Sequence, residues 1–103
     1  MKTRFETITE ARKTLELPES ATSAQIKKNY RRLLKKWHPD RHPENREAAE
    51  DQTRAIVRAF EILREYCEAY SYSFTQEEVE KYISDRERWF RQFGADPIWA
   101  NDH

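Results

Sequence analysis

Pro39 constrains the fold of this chain more than any other residue. It stands between two long stretches whose apolar side chains recur at helical spacing. A proline has no N–H to give a helix, and it biases the residue before it, His38, toward extended geometry. Upstream, Ile26, Tyr30, Leu33, Leu34 and Trp37 fall at i, i+4, i+7, i+8 and i+11, one apolar stripe. Thr22 and Gln25 have capping-box spacing, which predicts a helix from about Ser23 with Trp37 as its last residue. Downstream, a helix is predicted over about Glu47–Tyr70, with a stripe of Ala48, Gln52, Ala55/Ile56, Ala59/Phe60, Leu63, Tyr66/Cys67 and Tyr70. Between the two, His38 through Arg46 holds two prolines and no aliphatic side chain, and reads as an exposed loop. Two long helices joined so closely pack most simply as an antiparallel hairpin.

Shorter elements flank the hairpin. Thr3/Glu6 and Thr7/Glu10 both have capping-box spacing, so a first helix of about two turns is expected, with Ile8, Ala11 and Leu15 on one face. Leu17-Pro18 is its expected stop. Near the other end, Phe74, Thr75, Glu78 and Val79 combine a hydrophobic staple with a capping box. A fourth helix follows from Gln76 to about Phe93, where Gly94 offers a stop. That is the only glycine among 103 residues, so a hairpin-rich sheet protein is ruled out and the fold class is all-α. Thirteen aromatics argue against disorder despite 37% charged residues.

The formal net charge is zero, but it is unevenly spread. Residues 21–41 carry seven basic side chains against the single acid Asp40, while residues 42–103 carry eight basic and fourteen acidic. A basic helix on a neutral chain points to an acidic partner surface. No apolar run is long enough to cross a membrane, and Glu6 and Glu10 interrupt any secretory core, so a cytoplasmic protein is expected. The single cysteine, Cys67, permits no internal disulfide and reads as a small hydrophobe on the third helix. His38 and His42 lie four apart, but Pro39 breaks the helix that would align them and no third ligand is near, so no metal is assigned. With no nucleophile–base pair and no phosphate-cradling glycine loop, an enzyme is not expected, and neither is a cofactor.

The stretch from Gln25 to Asp40, reading QIKKNYRRLLKKWHPD, resembles the second helix and the His-Pro-Asp loop of the J domain, the module shared by DnaJ-type co-chaperones. Leu15-Glu16-Leu17 sits where that family has Leu-Gly-Val or similar. Ile56, Ala59, Phe60, Glu61, Ile62 and Leu63 match its third-helix pattern. The resemblance covers roughly residues 8–67. It implies a J domain over 1–70 and a helical extension over 71–103 that packs on it. It also implies a co-chaperone that docks on a DnaK-type (heat-shock-70 class) chaperone and stimulates ATP hydrolysis by that partner. Carried over residue by residue, His38, Pro39 and Asp40 form the stimulating loop. Lys27, Tyr30, Arg31 and Arg32, with Lys36 and Arg41, form the electrostatic docking face. Trp37, Leu33, Leu34, Ile56, Phe60 and Leu63 are read as core.

The chain departs from the family at several positions. Arg12 stands where tyrosine is common, and Thr53 where an apolar residue is. Glu16 replaces the usual glycine, so its turn is made either without positive φ or with some strain. With no Gly/Phe-rich or Cys-x-x-Cys module in these residues, a monomeric J-domain-only protein is expected. The aromatics at and beyond the end of the third helix, Tyr66, Tyr70, Tyr72, Phe74, Tyr82, Trp89, Phe90, Phe93 and Trp99, could instead recruit a client or partner. Two rival readings stay open: a degenerate J-like scaffold that stimulates no chaperone, and a nucleic-acid-binding helical domain. The acidic remainder of the chain weighs against the second.

Overall fold

The computed structural model describes residues 1–81, which form four helices: α1 (Arg4–Thr14), α2 (Ser23–Trp37), α3 (Arg46–Ala69) and α4 (Gln76–Lys81). No strand occurs among the described residues. The chain divides into two units, Met1–Tyr70 and Ser71–His103.

In the first unit α3 packs against both α1 and α2. The antiparallel sense of α2 and α3 follows from two contacts. The Trp37 carbonyl, at the end of α2, meets the Thr53 hydroxyl at 3.1 Å. One stretch back along α2, Tyr30 stacks on Phe60, the same distance forward along α3, with ring centroids 4.0 Å apart. Ala11, Leu15, Leu17, Leu33, Ile56, Ala59 and Leu63 form the buried cluster, and Trp37, Leu34 and Phe60 pack half-buried against it. The apolar spacing of α2 is therefore the spacing that the core uses.

The helix starts follow the cap chemistry. Thr22 and Gln25 form the reciprocal box, each side chain accepting the other's backbone N–H, at 3.2 and 2.7 Å. For α1 the Thr3 option wins: its hydroxyl accepts from the Glu6 N–H, while Thr7 lies within the helix and donates its hydroxyl to the Thr3 carbonyl. Starting four residues earlier makes α1 three turns long rather than two.

Two expectations need correction. Leu17-Pro18 does not stop α1. The helix ends earlier, at Thr14, in a Schellman motif: the Glu16 N–H bonds to the Lys13 carbonyl and the Leu17 N–H to the Arg12 carbonyl, both at 3.0 Å. Glu16 takes the left-handed position at φ 55°, the strained alternative for a residue with a Cβ. The stripe of α3 is also shifted. Ala49, Ile56, Ala59 and Leu63 are its buried positions, whereas Gln52, Ala55, Tyr66 and Tyr70 are exposed. A helix of 24 residues offers several adjacent faces, and the positions of α1 and α2 select among them.

In the second unit α4 begins at Gln76 as expected, with the Thr75 hydroxyl accepting from the Glu78 N–H at 3.3 Å. Phe74 and Val79, the expected staple, are both largely exposed. The continuation of this helix to Phe93, and the packing of the extension, lie outside the described residues.

Candidate functional site

The outer face of α2 is cationic. Lys27, Lys28, Arg31, Arg32, Lys35 and Lys36 are all exposed, since the stripe that faces the core leaves the rest of the helix to solvent. At 100° per residue the cations divide between two flanks. Lys27 and Arg31 lie on the flank of Tyr30, whose half-buried ring is stacked on Phe60. Arg32 and Lys36 lie on the opposite flank with Asn29, beside the α1–α2 turn. There the Asn29 amide donates to the carbonyls of Leu15 and Glu16, at 2.9 and 3.2 Å. On the same flank the Arg32 guanidinium bonds the Glu16 carboxylate at 2.8 Å. This hydrogen bond, above all, holds the Glu16 carboxyl below its ordinary value. The six cations therefore differ: Arg32 has an intramolecular carboxylate, and Lys36 holds its ammonium 5.7 Å from the centroid of the Trp37 ring.

At the end of α2 the chain turns through a short 3₁₀ segment, Pro39–Arg41. Trp37 is the last helical residue, and His38 departs to an extended conformation at φ −57°, ψ 131°. Proline suits the first position of the next turn, where its missing N–H has no partner to satisfy. His38 caps that turn through Nδ1, which accepts the Asp40 N–H at 3.2 Å. His38 and Asp40 are 60% and 75% exposed, so both present their polar atoms to solvent. Pro39 is half-buried and Arg41 exposed. The Asp40 carboxylate lies 3.7 Å from His38 Nδ1 and 3.9 Å from the guanidinium of Arg46, in the first turn of α3. Arg46 also pairs with Glu50.

Sequence reasoning missed the residues that hold this corner. The last carbonyls of a helix have no intrahelical donors. Here His42 Nε2 donates to the Lys36 carbonyl at 2.9 Å while its ring stacks on Trp37, centroids 5.2 Å apart. Thr53 shares its hydroxyl proton between the carbonyls of Trp37 and Ala49. In the sequence Thr53 reads only as an unusual polar residue. Its partner lies sixteen positions away, beyond any local spacing rule. His38 and His42 thus have separate partners, and no cluster of three metal-ligating side chains occurs among the described residues.

A concavity lies where α1 meets the C-terminal part of α3. It has a volume of about 580 Å³ and is lined by Phe5, Ile8 and Tyr66 with Arg4, Arg12 and Glu19 at its polar edges. None of the expected docking or loop residues lines it. No helix among the described residues is long and apolar enough to cross a membrane.

Comparison with known proteins falls on the same part of the chain. The family profile for the DnaJ domain matches residues 10–72. The chaperone protein DnaJ of Thermotoga neapolitana is 53% identical over 49 residues, covering 48% of this chain and 13% of that protein. Human DnaJ homolog subfamily B member 3 is 49% identical over 49 residues, covering 48% of this chain and 34% of its own length. The chaperone protein DnaJ of Thermoplasma acidophilum is 49% identical over 51 residues, half of this chain and 14% of the relative. The chain thus spans only a minor part of the curated relatives it matches. No solved structure matches it.

Proposed function

Because this chain belongs to the DnaJ domain family, we propose that it is a co-chaperone of a DnaK-type chaperone, docking through the outer face of α2 and stimulating the partner's ATP hydrolysis through the His38-Pro39-Asp40 loop. The observation that carries this reading is the juxtaposition of an exposed His-Pro-Asp turn with the C-terminal end of a helix bearing six exposed cations. In this reading Lys27, Tyr30, Arg31, Arg32, Lys36 and Arg41 are the docking residues.

The division of labour follows from the physics of each part. Exposed, solvated cations raise the rate of encounter with an acidic surface and fix its orientation, while adding modestly to affinity. The loop works differently. Pro39 and the His38 cap restrict its backbone, so the Asp40 carboxylate is presented at little further entropic cost. Such a carboxylate changes the partner's activity only if it interacts unequally with the partner's two conformational states.

Single-turnover ATP hydrolysis by a bacterial DnaK-type chaperone tests the reading. We expect this protein to accelerate turnover, and His38→Gln and Asp40→Asn each to abolish the acceleration while circular dichroism stays helical. Stimulation that survives both substitutions, or none by the unmodified protein, overturns it.

A further inference from the structure

Glu16 occupies its position at a structural cost. It stands in the left-handed region at φ 55°, where glycine is the residue without a steric penalty. The turn around it is secured from three sides. The Schellman bonds fix its own N–H and that of Leu17, Asn29 holds the carbonyls of Leu15 and Glu16, and Arg12 donates to the Leu17 carbonyl at 2.8 Å. Leu15 and Leu17, on either side, are anchored in the core. The backbone of Glu16 is therefore held on both sides, and its carboxylate reaches α2 to meet Arg32. Both side chains remain about half exposed, open to a binding partner.

Resting on the reading of α2 as a docking face, we propose that Glu16 is a specificity-determining residue. It holds Arg32 in an intramolecular ion pair and sets a fixed negative charge at one edge of the cationic face. An acidic partner surface must then either take Arg32 away from Glu16 or dock on the cations outside that pair. Among the described residues, Lys27, Lys28, Arg31 and Lys35 have no such carboxylate in contact, so the footprint moves toward the Tyr30 flank. A partner that presents acid opposite Arg32 is penalised by like charge at Glu16, whereas one with a cation there is favoured. Glu16 acts through Arg32 and is thus a positioning residue rather than one of the loop residues proposed to stimulate.

A double-mutant cycle on the full chain tests this with the same single-turnover assay, reading the concentration for half-maximal stimulation of the DnaK-type chaperone separately from the maximal rate. Glu16→Gln keeps the size and backbone position but removes the charge. For an acidic docking surface we expect it to lower the half-maximal concentration by about two- to fivefold at low salt, with the maximal rate unchanged, the range that an exposed ion pair can supply. The gain shrinks as salt is raised. Arg32→Gln is expected to weaken stimulation more when combined with Glu16→Gln than when made alone. Glu16→Gly serves as the fold control. It removes the charge and the Cβ together, so both Glu16 variants should lower the half-maximal concentration alike; a change that differs between them and follows melting temperature points to a merely structural role and overturns the proposal. Stimulation by the unmodified protein with no change in half-maximal concentration for Glu16→Gln, or with equal Arg32→Gln losses in both backgrounds, overturns the proposal and leaves the co-chaperone reading intact. No stimulation by either form overturns both readings.

Discussion

The two turns that bracket α2 solve the same problem with different local chemistry. Before α2, the chain reverses at Leu15-Glu16-Leu17 without glycine, and its geometry is held by side chains from elsewhere: Asn29 from α2, Arg12 from α1, and the burial of Leu15 and Leu17. After α2, the chain reverses at His38-Pro39-Asp40 with a proline that cannot continue the helix and a histidine that caps the following turn, while His42 and, from α3, Thr53 bond the last carbonyls of α2. The first turn anchors Leu15 and Leu17 in the core. The second stands in solvent and displays its polar atoms. Turns fixed by tertiary bonds suit the framework. A turn whose loop residues are capped by their own neighbours can leave its polar side chains in solvent.

The sharpest way to break this contrast is to substitute one residue from each turn and compare stability. Leu15 is fully buried, so Leu15→Ala should cost about 2–5 kcal/mol in urea unfolding. Asp40→Asn at a site 75% exposed should lie within roughly 0.5 kcal/mol of the unmodified protein. If both variants lose comparable stability, the second turn is part of the framework too. A smaller effect is expected at Asn29. Asn29→Ala leaves the carbonyls of Leu15 and Glu16 without that donor and should cost about 1 kcal/mol, with the loss confined to stability if the α1–α2 turn is purely framework.

The smallest effect is the pH dependence of the first turn. The Glu16 carboxyl is held below its ordinary value of 4.5, chiefly by the hydrogen bond from Arg32. A depressed folded value means that the pair's contribution is complete above about pH 4.5 and is lost as the pH falls through the lower folded value. The difference in melting temperature between the unmodified protein and Glu16→Gln should therefore be present at pH 7 and fade toward pH 3. A difference that stays constant across that window would assign it to packing rather than charge.

Much of the molecule was legible before any coordinates. The bounds of α2 follow from Thr22, Gln25, an apolar stripe and Pro39, because capping and proline exclusion act over a few residues and are written locally. The expectation for the loop His38-Pro39-Asp40 comes from resemblance to the DnaJ family, and the structure leaves His38 and Asp40 exposed and Pro39 half-buried. The starts of α3 and α4 were placed within one residue. The end of α1 was not, since Pro18 is a visible stop whereas the Schellman turn at Glu16 depends on bonds from Asn29 and Arg12. The centre of the α3 stripe, Ile56, Ala59 and Leu63, is legible in the sequence, but its ends at Gln52, Tyr66 and Tyr70 are exposed for a related reason. Its residues offer apolar side chains on more than one side, and only the neighbouring helices determine which side is covered.

The sequence alone determined that the chain is helical, where its longest helix-breaking signal falls, and that a cationic helix ends in His-Pro-Asp. Those properties arise from propensity, periodicity and charge, which are properties of neighbours in the chain. Tertiary structure decided that Glu16 faces Arg32, that Thr53 and His42 close the end of α2, and that Tyr30 rests on Phe60. Each of the contacts to Glu16, Thr53 and Tyr30 joins residues more than a dozen positions apart. Their existence depends on how three helices pack together, and no local rule of spacing encodes that arrangement.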